Sequence, residues 1–457
     1  MAEVTAAELN STAPSGLTLG LEDRPLLPQA VALGFQHVLV SNVWLDPVFV
    51  AAVGGLSAGL AGNLVNAIFL AAGLVTLTQS TRLVKLPIVE GPSAAFDGLM
   101  IGFAKGGQLA MATTGLLVGG LIVLVVAASG LLGLVRRLFS PAVTGAVILL
   151  VGIALAGFTL EEFLGGAPSS PEFGSPATLL IATATLATVV ILSSFGRGPL
   201  RSYAFIWGLL VGDVLSAVFG RLSFEASGAA AWVGIPQLLP YGGLQFEPGV
   251  ALAILFAFIV AVIEAMGVYY AAGAILSTPI TDRRIRLGVS GEAAGSIISA
   301  LFGGFATTAY AQNVGLLKLT GVGSRFAVTV AGVIFLILAF IPKLGALLAA
   351  TPDPVVGGIF LPAAGSLILT GVTILARTPD TPRHAAVAGL AVIAGTGIPP
   401  MASSLAAKLP AVATQLLSQP VVVGAVIALV LEVVLVQLPP VVEPEPAPEP
   451  QRAAPPA

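Results

Sequence analysis

Hydrophobic and polar residues alternate along this chain on a scale of about twenty residues, in long apolar runs separated by short polar breaks. A helix that crosses a bilayer needs about 20 apolar residues. On that rule the sequence reads as fourteen segments, near 28–50, 55–79, 86–104, 109–132, 140–158, 176–195, 202–220, 249–273, 287–303, 304–320, 326–348, 354–374, 383–398 and 418–438. Two of them spoil the pattern. In 304–325, GFATTAYAQNVGLLKLTGVGSR, the polar residues Thr307, Thr308, Tyr310, Gln312 and Asn313 crowd into seven positions behind Gly303 and Gly304. The stretch near 86–104 carries Glu90, Gly91, Ser93 and Asp97. Polar side chains and irregular backbone are tolerated in hydrocarbon only where they line a protein-buried or watery cavity. Both segments are therefore expected to be broken, extended first and helical afterwards. The second would turn helical near Gln312, with free N–H groups and a partial positive charge aimed at a ligand. Broken segments of this kind mark the substrate sites of transporters.

Composition narrows the class. The 457 residues are 56% hydrophobic and 9% charged, with mean hydropathy +1.02, against roughly 25% charged in soluble domains. A polytopic all-α membrane protein is the reading that fits. The net charge of −3 argues against a nucleic-acid partner. With no cysteine, disulfides and thiol catalysis are excluded, and two histidines without cysteine argue against a structural zinc site. No Ser/His/Asp or metal-ligand cluster is visible, so neither an enzyme nor a metal or other cofactor is expected. Residues 1–26 hold Glu3, Glu8, Glu22 and Asp23 against Arg24 and lack the basic start of a signal peptide.

Lysine and arginine test the segment count. With the N-terminus inside, the inward connections hold thirteen of them, including Arg82, Lys85, Arg136, Arg137, Arg201, Arg284, Lys318 and Arg325; the outward ones hold Lys105, Arg221, Lys343 and Lys408. That bias obeys the positive-inside rule and places both termini in the cytoplasm. The chain also repeats. Pro141, Val143, Gly145 and Gly152 recur as Pro354, Val356, Gly358 and Gly365, and the same offset carries Gly91 onto Gly304. Seven segments per half is odd, so the halves enter the membrane from opposite sides, as an inverted repeat. The expected organisation is a disordered cytoplasmic 1–26, a first seven-helix repeat over 27–220, an extracellular connection at 221–248, a second repeat over 249–438, and a disordered Pro/Glu-rich cytoplasmic tail at 439–457.

Glu264 lies in mid-segment in FAFIVAVIEAMGVYYAAG. A carboxylate at the bilayer centre costs at least about 2.5–3.5 kcal/mol, so it must face a cavity or be protonated. As an ionised group it accepts only, and it can take two parallel donors. The amide of Gln312 both donates and accepts. The two together suit the alternating N–H and C=O edge of an oxidised purine or pyrimidine, since amide-to-base pairing is an established geometry. Glu292, in SGEAAGSIISALFGG, is a second acid at depth, either a proton carrier or a brace near Ser324 or Arg325. Asp46, Asp213 and Glu432 read as helix-end or interhelical groups, and His384 as a surface residue.

The run Gln312-Asn313-Val314-Gly315, followed by Thr320-Gly321, resembles the signature of the nucleobase–ascorbate transporter family, the second type of nucleobase:cation symporters. The likeness covers about 27–438: LPIVEGPSAAFDG at the third segment is similar to the family's Leu-Pro…Gly-x-Ser-x-x-Phe, IEAMG at the eighth to its Ile-Glu-x-x-Gly, and Gln36-His37 to its first-helix pair. The resemblance implies a core of helices 1–4 and 8–11 carrying the site, and a gate of helices 5–7 and 12–14. It implies that Glu264 and Gln312 bind the base, with Ser93, Ala94, Phe96 and His37 around it. Asn313, Gly315, Thr320 and Gly91 would keep the broken segments in shape, and Glu264 and Glu292 would carry the coupling proton. Two departures stand out: Val268 where many members have Asp or His, and Ala94 where an aromatic is common. The expected function is proton-coupled nucleobase uptake across the cell membrane, with Gln at 312 favouring xanthine or urate and a homodimer possible. Uracil:proton symport by the same machinery and a sulfate-type anion transporter of the same fold are the alternatives.

Overall fold

The computed structural model describes residues 17–135, 138–405 and 408–438; 1–16 and 439–457, expected to be disordered, lie outside the described residues, as do Arg136 and Arg137. The principal elements are α1 (Leu27–Ser41), α2 (Leu45–Val53), α3 (Ala58–Thr81), β1 (Glu90–Pro92), α4 (Asp97–Lys105), α5 (Leu109–Ser129), α6 (Pro141–Phe163), α7 (Pro176–Phe195) and α8 (Ala204–Val218). The second half runs through α9 (Pro248–Ile275), α10 (Asp282–Leu301), β2 (Thr307–Ala309), α11 (Ala311–Thr320), α12 (Arg325–Ala339), α13 (Pro342–Ala349), α14 (Asp353–Leu375), α15 (Pro382–Gly397) and α16 (Pro420–Leu431). Local chemistry sets many starts. At α6 and α7, Ser140 and Ser175 accept the backbone N–H of Val143 and Thr178, and a proline follows at the first helical position. The serine satisfies an orphan donor, and the proline lacks the N–H that would be orphaned there.

Among the described residues nine helices are long and apolar enough to cross a membrane, or ten if the pair α12 and α13, bent by 86°, counts as one span. The protein is a multi-pass membrane protein. The expected segments outside that count are the two interrupted ones, where a three-residue strand precedes a nine- or ten-residue helix, the fifteen-residue α8, and the ninth, in α10, whose twenty residues carry Asp282, Arg283, Arg284, Arg286 and Glu292. The helices pack in matched couples: α3 on α12 and α5 on α10, α1 on α12 and α9 on α5, α7 on α14 and α15 on α6. Helices α6 and α14 cross at close range through glycine. A Cβ at Gly145 would meet Leu375 at 2.7 Å, and one at Gly371 would meet the Leu149 backbone at 2.6 Å.

Strands β1 and β2 pair antiparallel at the centre, Glu90 with Ala309, Gly91 with Thr308 and Pro92 with Thr307. The pairing extends at both ends, through Ser93 N–H to Ala306 O at 2.9 Å and Tyr310 N–H to Val89 O at 2.9 Å. Flanking helices take the edge groups: Thr76 Oγ1 accepts the Glu90 N–H, Ser296 Oγ accepts the Thr307 N–H, and Thr308 Oγ1 donates to Ala261 O. An extended segment at this depth is stable only because each such group has a protein partner.

Residues 17–26, part of the stretch expected to be disordered, are among the described residues. They form a strap across the loop after α11, with Leu19 bridging Val322 in parallel. Gly323 N–H donates to Leu19 O at 2.7 Å, and Arg325 grips the Glu22 carboxylate at 2.7–3.0 Å. Arg325 also donates to Ser80 O, and Lys85 and Arg284 add to the positive field at Glu22. Those cations belong to separate connections counted as inward by charge, and they meet on one face.

Candidate functional site

Three chain breaks converge on one cavity of about 300 Å³. Helix α1 stops at Asn42, whose φ of 55° is left-handed, and α2 restarts three residues later. The break turns Ser41, Asn42 and Asp46 to the cavity. Strand β1 contributes Pro92, and the turn into α4 contributes Ala94. Strand β2 gives way to α11 at Tyr310, and Tyr310 and Gln312 line the wall. Helix α9 supplies Glu264 from between the two broken segments. The facing wall is largely apolar, with Phe205 from α8 and Phe360, Ala363 and Leu367 from α14.

The polar wall is held from behind. Ser93 Oγ donates to Glu264 Oε2 at 3.1 Å, leaving Oε1 for a ligand. Tyr310 Oη lies 2.8 Å from Asp46 Oδ2 and 2.9 Å from Pro92 O, so it ties the first break to β1. Gly91 is required for this arrangement, since a Cβ there would meet Tyr310 Cζ and Val43 Cγ2 at 2.8 Å. Gln312 is exposed to the cavity, whereas Asn313 points away and is fully buried. Its Nδ2 donates to His37 O at 3.0 Å and lies 3.1 Å from His37 Nδ1, which pins the start of α11 to α1. The half-helices α4 and α11 both begin beside the cavity, and their unpaired N–H groups add partial positive charge.

The structure thus brings together four of the residues expected at the substrate: Glu264 and Gln312 on the wall, Ala94 beside them, and Ser93 supporting Glu264. It leaves two out. Phe96 is fully buried and meets Phe258 edge-on at 5.1 Å, so its face is taken by packing. His37 is 2% exposed and occupied by Asn313. Glu292 lies outside the cavity, away from Ser324 and Arg325; its carboxyl accepts a hydrogen bond from Tyr269. Val268 packs in an apolar cluster with Leu86, Ile88 and Tyr269. Glu432, expected to join helices, accepts from Ser140 at 2.8 Å.

Sequence reasoning missed Asp46, Tyr310, Phe205 and Phe360 as cavity residues. A signal existed for Asp46: Ser41-Asn42 and Asp46-Pro47 interrupt the first apolar run as the glycines interrupt the third and tenth. None existed for the two phenylalanines, which are ordinary apolar positions of their helices. Phe360 stacks on Phe49 of α2 at 3.7 Å with an 11° interplanar angle, joining the apolar wall to the polar one. The cavity continues past Asn42, Phe205 and Gln312 into a vestibule of about 510 Å³ that also holds Arg201 and Lys318. Arg201 is on a connection counted as inward and Lys318 lies in the last turn of α11, so the vestibule is lined by two cations.

A cavity between broken helices with polar groups on one wall is the arrangement found at transporter substrate sites. Residues 28–404 match the model of the Permease family. The chain belongs to the nucleobase–ascorbate transporter family, and it is a transporter, not an enzyme. Among curated relatives it is 30% identical to the uric acid permease PucK of Bacillus subtilis (strain 168) over 413 residues, covering 88% of this chain and 94% of PucK. It is 28% identical to the uric acid transporter UacT of Escherichia coli (strain K12) over 90% of this chain and 87% of UacT. The xanthine permease of Bacillus subtilis (strain 168) is likewise 28% identical, over 89% of this chain and 93% of the relative. In fold the chain is similar to the transmembrane domain of the cyanobacterial bicarbonate transporter BicA, with TM-score 0.57 and 18% identity over 89% of this chain and 97% of that one. It also resembles murine Solute Carrier 26 family member A9 in its inward-facing state, with TM-score 0.63 and 12% identity over 90% of this chain and 68% of the other.

Proposed function

We propose that this protein imports an oxidised purine, xanthine or urate first among them, together with a proton. The observation that carries the reading is the placement of Glu264 and Gln312 on the same cavity wall. An ionised carboxylate can take two ring N–H groups, while an amide pairs with a neighbouring N–H and C=O of the same edge. The half-helix N-termini favour the electron-rich carbonyl side of such a base. Ser93 orients the carboxylate, and Phe205 and Phe360 offer apolar surface to a planar ring. The relatives named for uric acid and xanthine support the purine choice over uracil.

Transport follows from two walls that can shift. One is built by α1, α2, β1, α9 and α11, the other by α8 and α14. We take these as the core and the gate of a fourteen-crossing inverted repeat, a reading that the matched packing couples support. The cytoplasm would lie on the Arg201 and Lys318 side, with both termini there. The base binds between Glu264 and Gln312, an intramembrane acid takes up the proton, and the core moves against the gate. Fold relatives that carry inorganic anions share the architecture alone, and two carboxyl groups on the cavity wall, Asp46 and Glu264, disfavour sulfate, a dianion that has no N–H to donate to them.

The test is ligand-induced thermal stabilisation of the purified protein by xanthine, urate, hypoxanthine, guanine, adenine, uracil and sulfate. A ligand at a hundred times its Kd adds about 2.7 kcal/mol to the folded state. Stabilisation by xanthine or urate is expected. Stabilisation by uracil alone would overturn the purine choice, and by sulfate alone the nucleobase reading.

A further inference from the structure

We propose that Glu90 and Glu292 form one two-carboxyl site that holds the coupling proton, behind β1 and separate from the substrate cavity. The proposal rests on the symport reading above. Glu90 opens β1 and is fully buried; Glu292, on α10, is 3% exposed. Strand β2, paired with β1, packs on α10, where Ser296 accepts the Thr307 N–H and Thr307 donates to the Glu292 carbonyl, so Glu90 and Glu292 share the space between β1 and α10 and act on each other. Neither oxygen of Glu90 meets a hydrogen-bond donor among the described residues.

The donors nearby are already engaged. The Tyr269 hydroxyl, from α9, goes to Glu292. Gln79, from α3, donates through Nε2 to Gly288 O at 2.7 Å and to Tyr269 Oη at 3.3 Å. The Thr307 hydroxyl, from β2, goes to the Glu292 backbone carbonyl at 3.1 Å. The further charged group acting on Glu292 is Glu264, another carboxyl, and among the described residues no lysine, arginine or histidine acts on either member of the pair. Ionised carboxylates are acceptors only, and two of them side by side repel. A single proton between Glu90 and Glu292 turns that repulsion into an O–H···O bond and gives Glu90 the donor it lacks.

The link to substrate is the strand itself. Two residues after Glu90, Pro92 lines the cavity; Ser93 comes next and holds Glu264, and Ala94 follows on the wall. A proton arriving behind β1 therefore settles the strand that positions the substrate carboxylate. Its departure pushes β1 away from α10 and loosens Ser93 from Glu264. Substrate and proton use different carboxyl groups, coupled through three residues of backbone.

The full-length protein in liposomes provides the test, with xanthine uptake measured under an inward-directed proton gradient and, separately, as xanthine-for-xanthine exchange without one. Glutamine is a neutral stand-in for the protonated carboxyl. Glu90→Gln is expected to lower gradient-driven accumulation at least tenfold, flatten the acid dependence of uptake, and keep exchange. Glu292→Gln should do the same, and the double variant should lose no more than either single one, as one unit requires. Wild-type accumulation and pH profile in Glu90→Gln would overturn the proposal, as would parallel loss of accumulation and exchange in a folded protein. A wild type that fails to accumulate overturns the symport reading beneath it. If Glu90→Gln does not fold, Glu90→Asp decides: driven accumulation with a displaced pH midpoint supports the site, and an unchanged midpoint refutes it.

Discussion

Replacing Glu264 by Gln isolates the central claim about substrate recognition. The change keeps the size of the side chain, and the amide oxygen can still accept from Ser93, whose Oγ lies 3.1 Å from Glu264 Oε2. The unliganded structure should therefore survive. What changes is the other atom: the free acceptor facing the cavity becomes an NH₂ group, a donor that meets the donor N–H of the base. A hydrogen bond to a charged group contributes about 1.5–3 kcal/mol. At about 1.4 kcal/mol per tenfold, loss of one such bond weakens binding roughly 10- to 150-fold. At a xanthine concentration a hundred times the wild-type Kd, ligand stabilisation should fall from about 2.7 to about 1.4 kcal/mol for a tenfold loss, and to about 0.4 for a hundredfold loss. Denaturant or thermal melts with and without xanthine read this directly, and melts without ligand report any damage to the fold. If Glu264→Gln keeps its unliganded stability and its xanthine-induced gain stays within about 0.3 kcal/mol of wild type, the carboxylate does not bind the base.

Gly91→Ala should destabilise the protein by about 1–3 kcal/mol through overpacking, because its methyl would lie 2.8 Å from Tyr310 Cζ and Asp46 and Pro92 hold that ring in place; an unchanged melt would refute the close packing. Asn313→Leu removes both contacts of the amide with His37 and should cost about 0.5–1.5 kcal/mol for each hydrogen bond lost, and His37→Phe, which removes the ring contact and keeps the backbone one, should be non-additive with it; strict additivity would mean that the ring takes no part in the bracket. At Glu22, the Arg325 hydrogen bond holds the carboxyl below its ordinary value of 4.5. The strap is thus steadied above that pH and released as pH falls through the lowered value, by no more than about 1 kcal/mol for so exposed a pair. Hydrogen exchange at Gly323 and Arg325 should accelerate in acid beyond the intrinsic rate in wild type, and Glu22→Gln should remove that difference; the same acid response in both would sink the strap argument.

Much of this was legible because membrane burial makes polar residues conspicuous. Glu264 and Gln312 stood out in apolar runs, and the structure sets both on one cavity. The breaks at Gly91 and Gly304 could be read because glycine and clustered hydroxyls cannot be explained by a lipid-facing helix. What escaped were directions. A sequence cannot tell that Phe96 turns to Phe258 while Phe360, equally apolar, faces the cavity. It cannot tell that His37 is spent on Asn313, since both readings need a buried imidazole. Glu90 had no assigned role because its partner lies 202 positions away on another helix. The strap was missed because 17–26 lacks an apolar run; it is fixed by backbone hydrogen bonds and the Glu22–Arg325 grip, which need no hydrophobic signature.

The β1–β2 pair also bears on how the chain is made. Its six residues join positions some 217 apart, Pro92 with Thr307 being the nearest couple in sequence. Until residue 309 has been synthesised, β1 has no strand to pair with, and its backbone groups must be met by water or by other protein within the membrane machinery. Such distant contacts form late and slowly. The first half, inserted alone, should therefore stay accessible to water at β1 while its long helices are already in place. The central sheet would be among the last features to form, and the carrier would become able to bind only once its second half has closed over the first.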